Sequence, residues 1–242
     1  MEKEARSRTE MILGSAAVEK LQHSHVAVFG IGGVGGYVVE ALARSGVGKL
    51  DIIDSDRVAL SNINRQIIAT MSTVGEYKVD VASRRIMDIN PQCVVKTYKT
   101  FFLPENTADF DFTQYDYIVD AIDTVSGKIG LAVAAQRANV PIISAMGAGN
   151  KIDATLFQVS DIYKTSVCPL AHVMRKELRK HGVKKLKVVY SPEKPLKPQA
   201  QVTNEENQSN GKRFTPGSTP YVPPVVGFII AGEVIKDLIA IR

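Results

Sequence analysis

Cysteine, tryptophan and long apolar runs are scarce or absent in this sequence of 242 residues. Its two cysteines, Cys93 and Cys168, are too few for a disulfide framework or a four-thiolate zinc site. No apolar run reaches the roughly 18 residues that span a bilayer, and charged residues interrupt the most hydrophobic stretch, 225–241. The charged N-terminus lacks an apolar segment with a small-residue cleavage site. These absences predict a cytoplasmic protein with no membrane partner.

Short β-rich runs alternate with helical patterns over the first part of the chain. The strands that these runs predict cover residues 25–30, 49–54, 94–98, 117–123 and 140–145. The helices that lie between them are predicted from the glycine-rich loop to about Ser45, over 76–90 and over about 126–138. This alternation predicts an α/β fold, a Rossmann-like, mostly parallel sheet with helices on both faces.

The C-terminal part has a different composition. Seven of the eleven prolines lie between Pro192 and Pro224, and residues 199–213 are polar with almost nothing to bury. We expect a flexible loop over 199–213, followed by an amphipathic helix over 225–241 that docks on the preceding structure. No internal repeat is visible, so we expect one domain over 1–242.

Basic residues are concentrated in one window, although the net charge is only +5. Between Ala171 and Lys187 the only acid is Glu177. The basic residues of this window are Arg175, Lys176, Arg179, Lys180, Lys184, Lys185 and Lys187. Such a cluster is either the solvated face of a helix, here over 175–187, or a patch that binds nucleic-acid phosphates, because lysine and arginine displace counterions from a polyanion.

A glycine-rich loop follows the first predicted strand and precedes the first of these helices. Its glycines are Gly30, Gly32, Gly33 and Gly35. Glycines at this spacing let the backbone turn tightly and approach a phosphate, which the N–H groups at the start of the helix then face. Asp54 ends the second strand, where a carboxylate accepts hydrogen bonds from a ribose. Loop and carboxylate together predict a nucleotide-binding site.

Polar residues downstream of Asp54 favour ATP over NAD as the nucleotide. Asn62 and Arg65 follow closely, and Lys78 lies 13 residues beyond Arg65. A triphosphate carries more charge than the diphosphate of NAD and requires additional cations. The sequence has no GxxxxGK[ST] motif, so a P-loop enzyme is excluded.

Two aspartates are predicted to end the fourth strand, at the sheet edge where ligands bind in such folds. They are Asp120 and Asp123. Mg²⁺ is held by one or two carboxylates together with phosphate oxygens, and Asp123 suits that role. The sequence therefore predicts ATP with Mg²⁺.

The glycine loop, the DSD sequence at 54–56, the NINRQ sequence at 62–66, Lys78 and the DAID sequence at 120–123 occur in this order. This combination closely resembles the adenylation domain of the ubiquitin-activating-enzyme superfamily, which includes the adenylyltransferases of molybdopterin and thiamine synthesis. The resemblance covers most of the chain, from about residue 8 to the last predicted helix. It implies that the protein binds ATP and uses it to adenylate a substrate.

The resemblance also implies roles for individual residues. Gly32 and Gly33 match the phosphate loop, and Asp54, with Asp56 beside it, matches the ribose ligand. Asn62, Arg65 and Lys78 match residues that contact the triphosphate and the transition state, and Gln66 lies next to Arg65. Asp123 matches the carboxylate that binds magnesium. Arg8, or alternatively Arg6, matches the arginine that dimers of the superfamily insert into the partner's ATP site, so a homodimer is implied.

The second half of the sequence separates branches of this superfamily. Adenylyltransferases of sulfur-carrier proteins have two CxxC pairs that bind zinc, which two cysteines cannot supply. Residues 144–165, 168–183 and 188–195 resemble the tRNA threonylcarbamoyladenosine dehydratases. That family cyclises the threonylcarbamoyl group on the adenosine next to the anticodon, which implies tRNA as partner of the basic window and an acyl-adenylate of the threonyl carboxylate as intermediate.

Other functions stay open from the sequence. The main alternative is an adenylyltransferase that activates the C-terminal glycine of a ubiquitin-like sulfur-carrier protein. An NAD-dependent dehydrogenase would not need Asn62, Arg65 and Lys78, and a non-catalytic scaffold would not need the complete motif set. A sulfur-relay protein stays open as a further partner. Cys168 is predicted to be a packed thiol, because an intramolecular cyclisation needs no protein nucleophile.

Overall fold

The computed structural model describes residues 2–199 and 216–240. Apart from Gln199, the loop that the sequence predicts over 199–213 lies outside the described residues. None of the described helices has the length and apolarity that are needed to cross a membrane.

Seven strands of the described chain form one sheet. They are β1 (His25–Phe29), β2 (Lys49–Ile53), β3 (Val94–Tyr98), β4 (Tyr117–Asp120), β5 (Ile142–Ala145), β6 (Gln158–Asp161) and β7 (Lys187–Tyr190). Their order is β3-β2-β1-β4-β5-β7-β6. Every pair is parallel except β6 with β7. The chain moves outward from β1 in one direction and from β4 in the other, so the carboxyl ends of β1 and β4 mark the place where ligands bind in such sheets.

Helices pack on both faces of this sheet. They are α1 (Glu2–Leu13), α2 (Ser15–Gln22), α3 (Gly35–Arg44), α4 (Lys78–Ile89), α5 (Val125–Ala138), α6 (Pro169–Lys180) and α7 (Val222–Leu238). Strand β1 shows why both faces are covered, since its side chains alternate between two cores. Val26 and Val28 pack with residues of α3, α4 and α7, whereas Ala27 and Phe29 pack with residues of α5 and the phenylalanines near 102–112. The predicted α/β fold is confirmed.

The last helix, α7, packs directly on the helix that follows the glycine loop. It begins at Val222, three residues before the predicted start, because Pro223 and Pro224 occupy the first turn, where no backbone N–H is needed. A Cβ on Gly227 would lie 2.6 Å from the carbonyl oxygen of Val34, so only glycine allows this approach. The C-terminal part of the chain is thereby held against the start of α3.

Two further predictions about local structure are wrong. The fourth strand, β4, ends at Asp120 and does not extend to 123. The basic window is not one helix over 175–187, because α6 ends at Lys180 and Lys187 begins β7. Gly182, with a positive φ of 70°, lies in the turn between them.

Candidate functional site

The glycine loop crosses the carboxyl end of β1 in close contact with the chain that leaves β4. Gly30 has a positive φ of 89°, and a Cβ on it would lie 2.7 Å from the carbonyl oxygen of Ala121. A Cβ on Gly35 would lie 1.7 Å from the carbonyl oxygen of Gly30. Neither position admits a side chain, so the loop folds tightly where the sheet changes direction and directs backbone N–H groups toward that edge.

Asp54 connects the glycine loop to the end of β2. Its Oδ2 accepts a hydrogen bond of 2.7 Å from the backbone N–H of Ile31, and its Oδ1 accepts one of 2.8 Å from the N–H of Asp56. Burial raises the pKa of the Asp54 carboxyl above its ordinary value, and the Lys78 ammonium opposes this shift. The carboxylate is held rigidly at the switch point, where an acceptor for ribose hydroxyls is needed.

Lys78 lies in the same cluster, at the first position of α4. Its Nζ lies 2.7 Å from Asp56 Oδ2 and 4.0 Å from Asp54 Oδ1. The side chain is only 6% exposed, whereas that of Asp56 is 62% exposed. Two carboxylates therefore hold one buried ammonium in a fixed position beside the glycine loop, where it can donate to a phosphate.

Arg65 lies on the other side of the loop. A Cβ on Gly33 would lie 3.4 Å from Arg65 Cγ, and Arg65 Nη1 donates to Ser61 O at 2.8 Å and to Asn64 Oδ1 at 2.9 Å. Burial lowers the pKa of the guanidinium from its ordinary value, yet arginine keeps its charge in proteins. Partial burial strengthens the attraction of this cation for a phosphate.

Asn62 and Gln66 are buried beneath Arg65. Asn62 Oδ1 accepts from the N–H of Ala59 at 3.1 Å and closes the turn that carries Arg65. Gln66 Oε1 is buried and has no hydrogen-bond partner among the described residues. A buried acceptor without a donor is costly, and a ligand hydroxyl or amino group would satisfy it. The tight glycine turn, the cations Arg65 and Lys78, and the unpartnered Gln66 Oε1 fit a bound nucleoside triphosphate.

The two aspartates after β4 have different environments. Asp120 is fully buried, whereas Asp123 is exposed in the loop that follows the strand. The strand ends early because the chain turns at Asp120, whose Oδ1 accepts from the N–H of Ile122 at 3.3 Å. Asp123 therefore follows the strand end by three residues. Among the described residues no cluster of three or more metal-ligating side chains is present.

Lys128, the partner of Asp120, is not among the residues predicted from the sequence. Lys128 Nζ donates to Asp120 Oδ1 at 3.0 Å and to the carbonyl oxygen of Ala145 at 2.7 Å, and both charged side chains are 1% exposed. The hydroxyl of Ser144 donates to the other oxygen of Asp120. This network ties the carboxyl ends of β4 and β5 together. A lysine within the mostly apolar first part of a helix, eight residues after a strand-end aspartate, is the signal that could have revealed it.

We expect Lys128→Met to lower the free energy of unfolding by about 3–5 kcal/mol, because it leaves the Asp120 carboxylate buried without a counter-charge. The double variant Lys128→Met/Asp120→Asn removes both charges, and asparagine still accepts from Ile122. It should recover much of the loss. Urea unfolding of both variants checks this, and a Lys128→Met protein as stable as the wild type would contradict it.

Comparison with known proteins places this geometry in a family. The family model for ThiF matches residues 6–241. The chain belongs to the ThiF family. It is 44% identical over 238 residues to the tRNA threonylcarbamoyladenosine dehydratase of Bacillus subtilis (strain 168), which covers 96% of this chain and 94% of that protein. It is 36% identical over 247 residues to the tRNA threonylcarbamoyladenosine dehydratase of Escherichia coli K12, with 96% and 92% covered.

Solved structures agree with this membership. The structure of the E. coli dehydratase TcdA in complex with AMP has a TM-score of 0.88 and 34% identity to the ThiF-family chain, and covers 98% of this chain and 95% of its own. The complex of TcdA with ATP gives a TM-score of 0.87 at 33% identity, with the same coverage. The resemblance predicted from the sequence is confirmed.

The N-terminal arginines of the ThiF-family chain differ in their surroundings. Arg6 packs on α3's C-terminal turn, because a Cβ on Gly46 would lie 2.8 Å from Arg6 Cδ. Arg8 is exposed on α1 and forms no hydrogen bond or ion pair with any residue in 2–199 or 216–240. Of the two arginines, Arg8 is the one that the described residues leave without a hydrogen bond or ion pair.

Three members of the basic window are engaged within the chain. Arg175 Nη1 donates to the carbonyl oxygen of Thr165 at 3.1 Å, and Lys180 lies 2.8 Å from Glu177. Lys187 is paired with Glu233 and Asp237 of α7. These three residues help to hold α6 and α7 in place and are less available to a ligand.

The other four members are exposed. They are Lys176, Arg179, Lys184 and Lys185. Arg179 lies over the ring of Tyr163, 5.1 Å from its centroid, and the three lysines form no ion pair within the described part of the chain. Lys184 and Lys185 lie in the turn before β7. The exposed positive surface is therefore smaller than the sequence indicated and is centred on the end of α6.

Both cysteines are buried. Cys168 precedes Pro169 at the start of α6 and packs in the core between α5 and α6. Burial raises the pKa of the Cys93 thiol to about 11. Neither environment exposes a thiolate, which is the reactive form of cysteine.

Proposed function

We propose that this chain is a cytoplasmic, ATP-dependent tRNA threonylcarbamoyladenosine dehydratase. The observation that carries the proposal is 44% identity to the B. subtilis dehydratase over nearly the full length of both proteins. The glycine loop, Asp54, Arg65 and Lys78 meet at the switch point of the sheet, as adenylation requires. The substrate is the threonylcarbamoyl group on the adenosine next to the anticodon of tRNA.

The reaction has two steps. The threonyl carboxylate attacks the α-phosphate of ATP, so that a carboxyl-oxygen-to-phosphorus bond forms and the bond to pyrophosphate breaks. The carbamoyl portion of the same group then attacks the activated carbonyl, a ring closes, a proton goes to solvent and AMP leaves. The second step is intramolecular, so both reacting groups come with the substrate and no protein nucleophile is needed. The buried state of both cysteines is consistent with this route.

The residues of the chain position ATP and neutralise charge. N–H groups of the glycine loop face the phosphates, and the Asp54 carboxylate accepts hydrogen bonds from the ribose hydroxyls. Arg65 and Lys78 stabilise the negative charge that develops at the α-phosphate, and contacts within the chain hold both side chains in position. Asn62 and Gln66 support Arg65 from below.

We assign the magnesium carboxylate to Asp123. It is exposed in the loop that leaves β4 beside the glycine loop, and carboxylate oxygens suit Mg²⁺. When bound, Mg²⁺ would supply further neutralisation of the triphosphate. Asp120 does not share this role, because Lys128 and Ser144 occupy both of its oxygens.

The functional unit that we infer is a homodimer. Arg8 is exposed and has no hydrogen-bond or ion-pair partner among residues 2–199 and 216–240, and Met11 and Ile12 on the same helix are 84% and 85% exposed. Large apolar side chains so exposed beside an unpaired cation favour contact with another protein surface. In a symmetric dimer each subunit would supply Arg8 to the other subunit's ATP site.

The exposed lysines on α6 and in the turn between α6 and β7 are the proposed contact with tRNA. We expect Lys184→Ala/Lys185→Ala to weaken tRNA binding and to flatten its dependence on the logarithm of salt concentration by about 1.4–1.8. The control Lys20→Ala/Lys96→Ala removes the same charge from exposed sites on α2 and β3. Binding isotherms at several salt concentrations compare the double variant with its control. Equal salt slopes for tRNA binding would show that Lys184 and Lys185 are ordinary solvated surface residues.

AMP release in the presence of different substrates tests the proposed function. We expect AMP and pyrophosphate to form with tRNA that carries the threonylcarbamoyl group and not with the same tRNA lacking it. AMP release with a ubiquitin-like carrier protein in place of tRNA would instead identify a sulfur-carrier adenylyltransferase.

A further inference from the structure

A cavity of ≈ 290 Å³ lies between the segment that follows β5 and the segment that leads into α7. Its lining residues include Asn150, Lys151, Leu196, Lys197, Ser218 and Thr219. None of these residues belongs to the site described above. Its size approaches that of the pockets in which proteins hold small ligands or single groups of larger ones.

The walls of this cavity are fixed by the backbone and side chain of one residue. Asn150 N donates to Gly217 O at 2.8 Å, and Gly217 N donates to Asn150 Oδ1 at 2.7 Å. The carbonyl oxygen of Asn150 accepts from the N–H of Leu196 at 2.8 Å. Asn150 has a positive φ of 57°, which asparagine tolerates better than most residues. The cavity is thus preformed.

Lys151, one of the lining residues, carries a buried positive charge. The residue is 3% exposed, and its Nζ donates to the carbonyl oxygen of Glu193 at 2.6 Å. No carboxylate lies within ion-pair distance of Nζ among the described residues. The Glu193 carboxylate accepts instead from the N–H groups of Ile152 and Asp153. A buried ammonium has three donors and is costly without a counter-charge, so an anionic ligand group would complete it.

The cavity shares a wall with the ATP site. Ser218 O accepts from Asn64 Nδ2 at 3.1 Å, and Asn64 Oδ1 accepts from Arg65. Four residues after Thr219, Pro223 approaches the glycine loop, since a Cβ on Gly33 would lie 3.2 Å from its Cβ. A substrate whose reacting group lies at Arg65 can therefore extend neighbouring groups toward the cavity.

We propose that this cavity is a subsite for tRNA, in which Lys151 and Lys197 bind a backbone phosphate beside the modified adenosine. Leu196 and Ile152 provide apolar contact for the attached sugar or base. The inference rests on the proposed function and assigns part of its substrate specificity. The oxyanion that binds in the cavity could also be free pyrophosphate, which the reaction releases.

The test is equilibrium binding of threonylcarbamoyl-tRNA to the full-length protein, over a series of salt concentrations. The variants are Lys151→Met, which changes a buried lysine, and Lys197→Met, which changes an exposed one. Lys194→Met is the matched control, because Lys194 is an exposed lysine of the same segment that does not line the cavity. We expect Lys151→Met to raise Kd by about tenfold, the effect of one lost charge-assisted hydrogen bond, and to lower the salt slope by about 0.7. Lys197→Met lowers the slope similarly, and the control changes neither quantity.

Ser218→Phe provides a variant that keeps Lys151 if Lys151→Met does not fold. Its ring would fill the cavity while the Ser218 backbone carbonyl still accepts from Asn64. We expect weaker tRNA binding with an unchanged Kd for ATP. The proposal would be overturned if the cavity variants bound tRNA with the same Kd and salt slope as the Lys194→Met control. A Lys151→Met protein that loses affinity for inorganic pyrophosphate alone would also overturn it. These binding measurements do not require turnover, so failure of the proposed function would be seen separately, as absence of tRNA-dependent AMP release by the wild-type protein.

Discussion

Arg65→Ala lowers tRNA-dependent AMP formation by about 10²–10³-fold, the usual effect of losing one preorganised donor at a developing charge. Arg65 is the cation that packs on the glycine loop at Gly33, and its guanidinium is positioned by hydrogen bonds to Ser61 and Asn64. Its removal leaves Lys78 alone to neutralise the phosphates from the chain itself. The measurement is the initial rate of AMP formation at saturating ATP.

Arg57→Ala is the matched control for this variant. Arg57 lies on the same stretch of chain and also donates to a backbone carbonyl, that of Gly75, but its guanidinium lies over the ring of Tyr77. We expect its rate to stay close to wild type while both variants keep the same thermal unfolding midpoint. An Arg65→Ala rate within a few-fold of wild type would remove Arg65 from the proposed catalytic set.

Mixing two inactive variants restores activity if Arg8 acts across a dimer interface. Arg8→Ala lacks the residue that would be donated, and Arg65→Ala lacks a residue of the receiving site. In a hybrid dimer, the Arg8→Ala subunit keeps Arg65 and receives Arg8 from its partner, so one of its two sites is complete. With random exchange, half the dimers are hybrids, and the mixture should reach about a quarter of the wild-type rate.

The rate of the mixture is compared with the rates of the separate variants after subunit exchange. Arg6→Ala mixed with Arg65→Ala serves as the control, since Arg6 already packs within its own chain on Gly46. A mixture of Arg8→Ala and Arg65→Ala that shows only the sum of the two residual rates would mean that Arg8 acts within its own chain or not at all.

Periodicity and glycine spacing are sufficient to predict the α/β fold and the tight turn of the glycine loop. Alternating burial of β1 and the tight turn at Gly30 and Gly35 are local properties, so they can be read from neighbouring residues. The predicted strand over 94–98 agrees with β3 residue for residue. The second strand, predicted over 49–54, ends one residue earlier at Ile53, so that Asp54 directly follows it.

The features that sequence reasoning missed depend on distant contacts. Lys187 was assigned to a basic patch, but it pairs with Glu233 and Asp237, which lie about 50 residues away on α7. Lys128 was overlooked because its partners come from the ends of two other elements, β4 and β5. Both lysines look like surface charges until the topology brings their partners to them.

The extent of β4 shows the same limit at a smaller scale. The apolar pattern continues through Ala121 and Ile122, which makes a strand to 123 plausible from hydrophobicity alone. The strand ends because Ala121 must pass under Gly30 and Ile122 bonds back to Asp120. The glycine loop and Asp120 thus determine the position of Asp123, and no property of the apolar run does so.

Mass analysis of the nucleosides of threonylcarbamoyl-tRNA, after incubation with the protein and ATP, tests the central claim most directly. The account predicts that the modified adenosine loses the mass of one water, with one AMP released for each nucleoside converted, and that neither change occurs without ATP. AMP release with an unchanged threonylcarbamoyladenosine would contradict the dehydratase assignment and leave adenylation of some other carboxylate.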